Sequence, residues 1–130
     1  MGNNKLNIMI CVTRQKTCER LIKVGRDIAG DGDARLYAVH VAKKGVNFLG
    51  NPDEGEALDY LFQVSKEAGA EMTVLRSEHV VDTLVEFARK SNISIIVLGE
   101  SAQNTNREES IIDELKRNLP DLEFRIVPQA

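Results

Sequence analysis

Two hydrophobic patterns alternate along this chain, and together they predict its elements. Short apolar runs predict β-strands, and apolar residues recurring every three or four positions predict amphipathic helices. The order is strand, helix, strand, helix through to a fifth strand, which is typical of an α/β protein with a parallel sheet and helices on both faces. We expect one domain over residues 1–130, with strands at Leu6 to Val12, Arg35 to Val41, Glu71 to Arg76, within Asn92 to Ser101, and at Leu122 to Val127.

The stretch from Asn92 to Ser101 is the most informative part of the pattern. Its middle is a run of β-branched apolar residues that ends at Gly99, as a central strand covered on both faces would. Ligands of open α/β sheets bind at the carboxyl ends of the strands, where the strand order reverses. The residues that follow this strand, Gly99, Glu100 and Ser101, are therefore candidates for a ligand site.

The fifth strand differs from the first and fourth because its polar and apolar residues alternate. Phe124 and Ile126 share one face, and Glu123 and Arg125 share the other. This alternation is typical of a strand at the edge of a sheet with one face wetter than the other. Such an edge could pair with a second copy of the chain.

A long loop follows the second strand and contains two large apolar residues, Phe48 and Leu49, between glycines. They either fold over the sheet edge as a lid or form a surface for a partner. We favour the lid. The next helix is expected to begin with a capping box formed by Asn51 and Glu54 around Pro52.

The sequence also predicts other features of the first two helices. Thr17 is a candidate cap for the first helix. In the second helix, Phe62 is expected in the apolar stripe that faces the core, and Gly69 is expected to end the helix in a left-handed conformation.

Composition and charge narrow the classes of function. The 17 Lys and Arg residues against 20 Asp and Glu give a net charge of −3, so we expect no nucleic acid partner. No apolar run reaches the roughly 18 residues of a membrane span, and the start of the chain does not resemble a signal peptide. We expect a cytoplasmic protein in which Cys11 and Cys18 are reduced packing residues.

Residues that could carry catalysis or bind a metal have simpler interpretations. His40 has no GxSxG motif or second histidine beside it, so a buried, hydrogen-bonded role is favoured over a catalytic base. Ser101 lacks an activating base. The acidic residues Asp53, Glu54 and Glu56 suit a helix start better than a metal site. We expect no enzyme activity and no metal.

The order and spacing of several motifs resemble the universal stress protein family over essentially the whole chain. These motifs include Ala38-Val39-His40-Val41 at the end of the second strand, Lys66-Glu67-Ala68-Gly69-Ala70, and Ile95-Ile96-Val97-Leu98-Gly99. The segments Cys11 to Lys16 and Gly99 to Ser101 are most similar to the universal-stress-protein-like domain of KdpD sensor histidine kinases. The resemblance implies a flavodoxin-like three-layer sandwich, similar to the adenine nucleotide alpha hydrolases, with strand order 3-2-1-4-5. It also implies a non-catalytic regulatory role and homodimers that pair through the last strand.

Many members of that family bind ATP, and the resemblance assigns the corresponding positions here. Thr13 stands where those members have an aspartate that contacts the nucleotide. Gly99 matches the first glycine of the phosphate loop, and the end of the second strand matches the lining of the adenine pocket. The nucleotide-binding residues that the resemblance implies are Val12, Thr13, Arg14, Val39, His40, Val41, Gly99, Glu100 and Ser101.

The phosphate loop departs from the family's pattern. Ala102 replaces its second glycine, and carboxylates such as Glu100 and Glu108 lie close in sequence, so triphosphate binding should be weakened. Arg14, Lys16 and Arg107 could supply positive charge. Three alternatives stay open: a pocket for ATP or AMP, a cyclic di-AMP sensor of the KdpD type, and a pure dimerisation or protein-interaction domain.

Overall fold

The chain folds into a five-stranded parallel sheet with helices on both faces. A computed structural model describes residues 6–30, 34–99 and 106–128, and of 106–110 only the backbone. The strands pair in the order β3-β2-β1-β4-β5, which confirms the predicted fold class and strand order. The elements are β1 (Asn7–Cys11), α1 (Gln15–Ala29), β2 (Arg35–Ala42), α2 (Glu54–Ala68), β3 (Ala70–Arg76), α3 (Val80–Lys90), β4 (Ile95–Gly99), α4 (Asn106–Asn118) and β5 (Glu123–Val127).

Two apolar cores lie on opposite faces of the sheet. Successive residues of a strand point to opposite faces, so Ile8 and Ile10 of β1 enter one core while Met9 and Cys11 enter the other. The first core is closed by α1 and α2, and the second by α3 and α4. This arrangement is the predicted three-layer sandwich, and it explains why β1 and β4 are apolar almost throughout.

Gly25 allows α1 to lie close to the sheet. A Cβ built on this residue would be 2.5 Å from Cδ1 of Ile10 and 2.9 Å from its Cγ1. Ile10 is fully buried and has little room to move aside. The absence of a side chain at position 25 therefore sets the distance between α1 and β1.

Three local predictions were wrong. Thr17 does not cap α1, because the helix begins at Gln15 and the Thr17 hydroxyl instead donates to the carbonyl of Arg14. Helix α2 is capped by Asp53 rather than Asn51, because the Asn51 backbone N–H completes the preceding turn by bonding to Phe48. Phe62, expected in the core stripe of α2, is 48% exposed.

The two edges of the sheet are β3 and β5, and the edge position of β5 was predicted from its alternating sequence. Chain order runs outward from β1 through β2 to β3, and then resumes at β4 on the other side of β1. The strand order therefore reverses between β1 and β4, whose carboxyl ends form the topological switch point. Among the described helices, none has the length and apolar character needed to cross a membrane.

Candidate ligand site at the carboxyl edge of the sheet

The candidate site begins where β1 and β4 end. Val12 is buried immediately after β1, whereas Thr13 and Arg14 are exposed before α1 starts. Gly99 is the last residue of β4 and is partly exposed. A Cβ at this glycine would be 3.5 Å from Leu21, an ordinary contact, so packing within the described chain does not itself require glycine there. The candidate residues Glu100 and Ser101 lie outside the described residues.

His40 is buried at the end of β2, and both of its ring nitrogens are engaged by backbone groups. Nδ1 lies 2.8 Å from the carbonyl oxygen of Val12, and the backbone N–H of Leu49 donates to Nε2 at 3.0 Å. A carbonyl can only accept, and an N–H can only donate, so these partners require the neutral ring with its proton on Nδ1. Burial lowers the pKa of His40, the Val12 hydrogen bond opposes this shift, and the positive charge of Arg76 adds to it.

The loop after β2 covers this histidine with a short 3-10 turn, Phe48–Gly50, which we call the lid. Leu49 is 3% exposed and packs into the core under α1 and α2, although its φ of 55° lies in the left-handed region. Leucine seldom adopts that conformation because its Cβ crowds the backbone. The prediction that this apolar pair folds onto the sheet edge is confirmed.

Arg76, the last residue of β3, secures the lid from outside. Its guanidinium donates to the carbonyl oxygens of Lys43 and Val46 at 3.1 and 2.9 Å. It also donates to the Glu54 carboxylate at 2.7 Å and stands 4.1 Å above the centre of the Phe48 ring. The same carboxylate accepts from the backbone N–H of Phe48 at 3.2 Å. One cation therefore links β3, the loop and the start of α2.

An open cleft of about 560 Å³ lies between the start of α1 and the lid. It is lined by Arg14, Gln15, Lys16, Leu49, Gly50, Asn51 and Pro52. The side-chain amides of Asn51 and Gln15 join its two sides through a hydrogen bond of 2.9 Å. Arg14 and Lys16 are exposed and form no ion pair among the described residues. The cleft is therefore positively charged on its α1 side.

The structure brings only some of the predicted site residues together. Val12, Val39 and His40 form one cluster, in which the Val12 N–H also donates to the Val39 carbonyl at 3.0 Å. Val39 and His40 are buried, and Val41 is partly buried on the α3 side of the sheet. None of these three residues lines the open cleft. The lid covers His40, whereas Val39 and Val41 point to the opposite face of the sheet, towards α3.

The acidic residues at the start of α2 have structural roles. Asp53 accepts from the backbone N–H of Glu56 and so caps the helix, while Glu54 pairs with Arg76. No group of three or more potential metal-ligating side chains occurs within the described part of the chain. Burial also raises the pKa of Cys11 and of Cys18 to about 12, so both thiols stay protonated at neutral pH.

The contacts made by Arg76 were not anticipated from the sequence. Its partners, Lys43, Val46 and Glu54, are 22 to 33 positions away in the chain. The only local signal was the apolar pair Phe48 and Leu49 set between glycines, which indicated a lid but not what holds it. Charge pairing over such separations depends on strand register, here the alignment of Ala42 with Arg76.

Comparisons with known proteins agree with this fold. The sequence profile of the Universal stress protein family matches residues 6–112. The chain is 27% identical over 121 residues to the sensor protein KdpD of Escherichia coli (strain K12). That match takes in 92% of this chain but only 13% of KdpD, so the chain spans about an eighth of that relative's length.

Several solved structures of similar fold are universal stress proteins. One from Burkholderia pseudomallei superimposes with a TM-score of 0.69 at 19% identity, covering 99% of this chain and 100% of the other. Another, crystallised in complex with cAMP, gives a TM-score of 0.60 at 13% identity and covers 98% of each chain. At these identities the likeness establishes the fold. The family profile matches most of the sequence, and the fold agrees with it. This chain therefore belongs to the universal stress protein family.

Proposed function

We propose that this chain is a regulatory module that binds an adenine nucleotide at the carboxyl edge of its sheet. The observation that carries the proposal is the open cleft beside the ends of β1 and β2, with Arg14 and Lys16 on its wall. Both cations lack an ion-pair partner among the described residues, so an anionic ligand could pair with them without displacing an existing contact.

The class of ligand is supported by family membership and by position. The cleft is lined by residues that follow β1, one of the two strands of the switch point at which ligands of open α/β sheets bind. A universal stress protein of similar fold has been crystallised with cAMP, which combines an adenine base with a phosphate. We therefore propose ATP, AMP or a cyclic adenine nucleotide such as cyclic di-AMP as the ligand, with its phosphate near Arg14 and Lys16.

A regulatory rather than catalytic role is supported by His40. Its Nδ1 hydrogen is bound to Val12 and its Nε2 lone pair accepts from Leu49, so neither nitrogen is free to move a proton to or from a substrate. The similarity to KdpD, a sensor protein, is consistent with a module that reports ligand occupancy to a cytoplasmic partner or an attached domain.

A homodimer through Leu122 to Val127 is the second part of the proposal. Strand β5 pairs with β4 on one side, and no described strand pairs with its other side. Its backbone groups on that side are available to a second copy of the chain. We expect sedimentation to depend on protein concentration and not on nucleotide; a monomer at all concentrations would contradict this part alone.

A thermal-shift titration tests nucleotide binding. A ligand that binds only the folded state stabilises it by about 2.7 kcal/mol at 100 times its Kd. We expect ATP, AMP or cyclic di-AMP to raise the melting temperature, and the Arg14→Ala/Lys16→Ala variant to bind at least tenfold more weakly. Lys23→Ala, an exposed change further along α1, is the matched control. No shift with any of the three at about 1 mM would contradict the proposal.

A further inference from the structure

The lid covers His40 at the end of β2, where the resemblance to the universal stress proteins implies that the nucleotide base would lie. We infer that the lid, Phe48–Gly50, is an autoinhibitory element that must move away from His40 before the base of a nucleotide can bind beside β2. The inference rests on the proposed function and adds its regulation. It explains why Arg14 and Lys16 face an open cleft while His40, at the neighbouring strand end, is covered.

The inner attachment of the lid is a chain of two hydrogen bonds. The Leu49 N–H donates to His40, and His40 donates to the carbonyl of Val12 at the end of β1. The Leu49 side chain is 3% exposed and packs with Val12 in the core closed by α1 and α2. A planar base placed against the end of β2 would have to take the place of this side chain, because two groups cannot fill one close-packed volume.

The outer attachment depends on Arg76 and is more accessible to solvent. The side chains of Arg76 and Glu54 are 36% and 37% exposed, yet between them they make four hydrogen bonds to the loop and to each other. The Phe48 ring lies between the guanidinium and the His40 ring, whose centre is 5.8 Å away. Water or an anionic ligand can compete for these exposed contacts, so they are the natural point at which the lid opens.

The loop has the backbone properties that such a movement requires. Gly45 precedes the lid and Gly50 is its last residue, with φ angles of 84° and 72°, and glycine crosses between backbone regions at little cost. Leu49 is held between them at a φ of 55°, which is unfavourable for leucine and would be relieved when the lid opens. Opening can therefore take place within the loop, while β2 and α2 keep their hydrogen bonds.

Removing the outer attachment tests this inference. Arg76→Ala should raise amide hydrogen exchange in peptides covering residues 43–53 about tenfold, and should lower the Kd for AMP by a similar factor, because the fraction of open molecules rises. Arg89→Ala, which removes an exposed arginine bonded to a backbone carbonyl far from the lid, should change neither. Glu54→Gln, which keeps the size of the side chain and removes its charge, should act in the same direction with a smaller effect.

The outcomes separate this inference from the function on which it rests. Faster exchange with an unchanged or higher Kd for AMP in Arg76→Ala would overturn autoinhibition and leave nucleotide binding standing. Exchange in residues 43–53 that is already fast in the wild-type protein would overturn it too. Failure of both proteins to bind AMP, ATP and cyclic di-AMP, with exchange raised in the variant, would contradict the proposed function itself.

Discussion

The backbone N–H of Leu49 donates to Nε2 of His40 at 3.0 Å. Because Nδ1 of the same ring is bound to the Val12 carbonyl, one buried imidazole joins the loop after β1 to the loop after β2. The pair of bonds holds only while the ring is neutral, since a protonated ring would direct an N–H at the N–H of Leu49. The two loops that border the candidate site are therefore coupled through a titratable group.

Acid should weaken the fold through His40. Its pKa in the folded protein is lowered, first by burial and then by Arg76, relative to 6.5 in the unfolded chain. The unfolded state thus binds the proton more readily, so the contribution of His40 to the free energy of unfolding is fully present above pH 6.5 and is lost as the pH falls below it towards the lowered pKa. Urea unfolding measured at intervals between pH 8 and pH 5 should show this decline.

The other histidine provides the control. His79 is exposed before α3, and the hydrogen bonds that it makes use its backbone. We expect His79→Gln to keep the decline in stability below pH 6.5 and His40→Leu to flatten it, with lower stability at neutral pH. An unchanged decline in His40→Leu would assign the pH dependence to the carboxylates instead.

The left-handed backbone of Leu49 predicts an unusual order of substitutions. Leu49→Ala should lower the free energy of unfolding by about 2–4 kcal/mol, because a buried apolar side chain is lost. Leu49→Gly should cost no more, and up to about 1 kcal/mol less, because glycine adopts a φ of 55° freely. At Leu61, fully buried in the middle of α2, glycine should instead be worse than alanine by about 1 kcal/mol. Chemical denaturation of the four variants gives both comparisons, and the same order at both sites would argue against a strained lid.

Gly25 should not tolerate a methyl group even though it lies within a helix. Gly25→Ala gains about 1 kcal/mol of helix propensity but forces a Cβ against Ile10, and overpacking of this kind costs about 1–3 kcal/mol. Gly55→Ala on α2, where the new Cβ would meet only the Asp53 carboxylate at 3.6 Å, should be neutral or stabilising. The cost at position 25 should shrink in an Ile10→Val background, which removes Cδ1; an equal cost in both backgrounds would exclude the clash as its cause.

Both cysteines should resist modification in the folded protein. Cys11 and Cys18 are buried and their pKa values are raised to about 12. At neutral pH, neither residue forms the reactive thiolate and neither sulfur is accessible to a reagent. Labelling with a thiol reagent at pH 7.5 should proceed at the rate at which the protein opens, and become fast in urea. Rapid labelling of either residue without denaturant would refute this description of the core.

The elements that could be predicted from the sequence are those defined by local patterns. The apolar runs of β1 and β4 and the left-handed stop of α2 at Gly69 are properties of consecutive residues. The cap at Asp53 was missed because Asn51 and Glu54 fit the same rule, and only the turn of the lid, which uses the Asn51 N–H, decides between them. Boundaries set by a neighbouring segment cannot be found in a local pattern.

The candidate site was predicted in outline rather than in detail. The position of Gly99 and the loop after β1 followed from the fold class, since parallel strands end at a common edge. The use of both His40 nitrogens and the role of Arg76 did not follow, because each depends on backbone groups brought close by the register of β1, β2 and β3. The position of the Phe48 ring could not be predicted either, because the ring packs against Arg76 at the end of β3.

The most direct test of nucleotide binding at this edge is a titration of the ¹⁵N-labelled protein with AMP, followed by amide chemical shifts. We expect saturable shifts at Thr13, Arg14, Lys16 and Gly99, followed by Leu49 as the lid moves. No shifts are expected at the exposed residues in the second half of α2, which are Phe62, Gln63, Lys66 and Glu67. The Arg14→Ala/Lys16→Ala variant should need about tenfold more ligand for the same shifts. An absence of shifts at millimolar AMP, or shifts confined to another surface, would contradict the account.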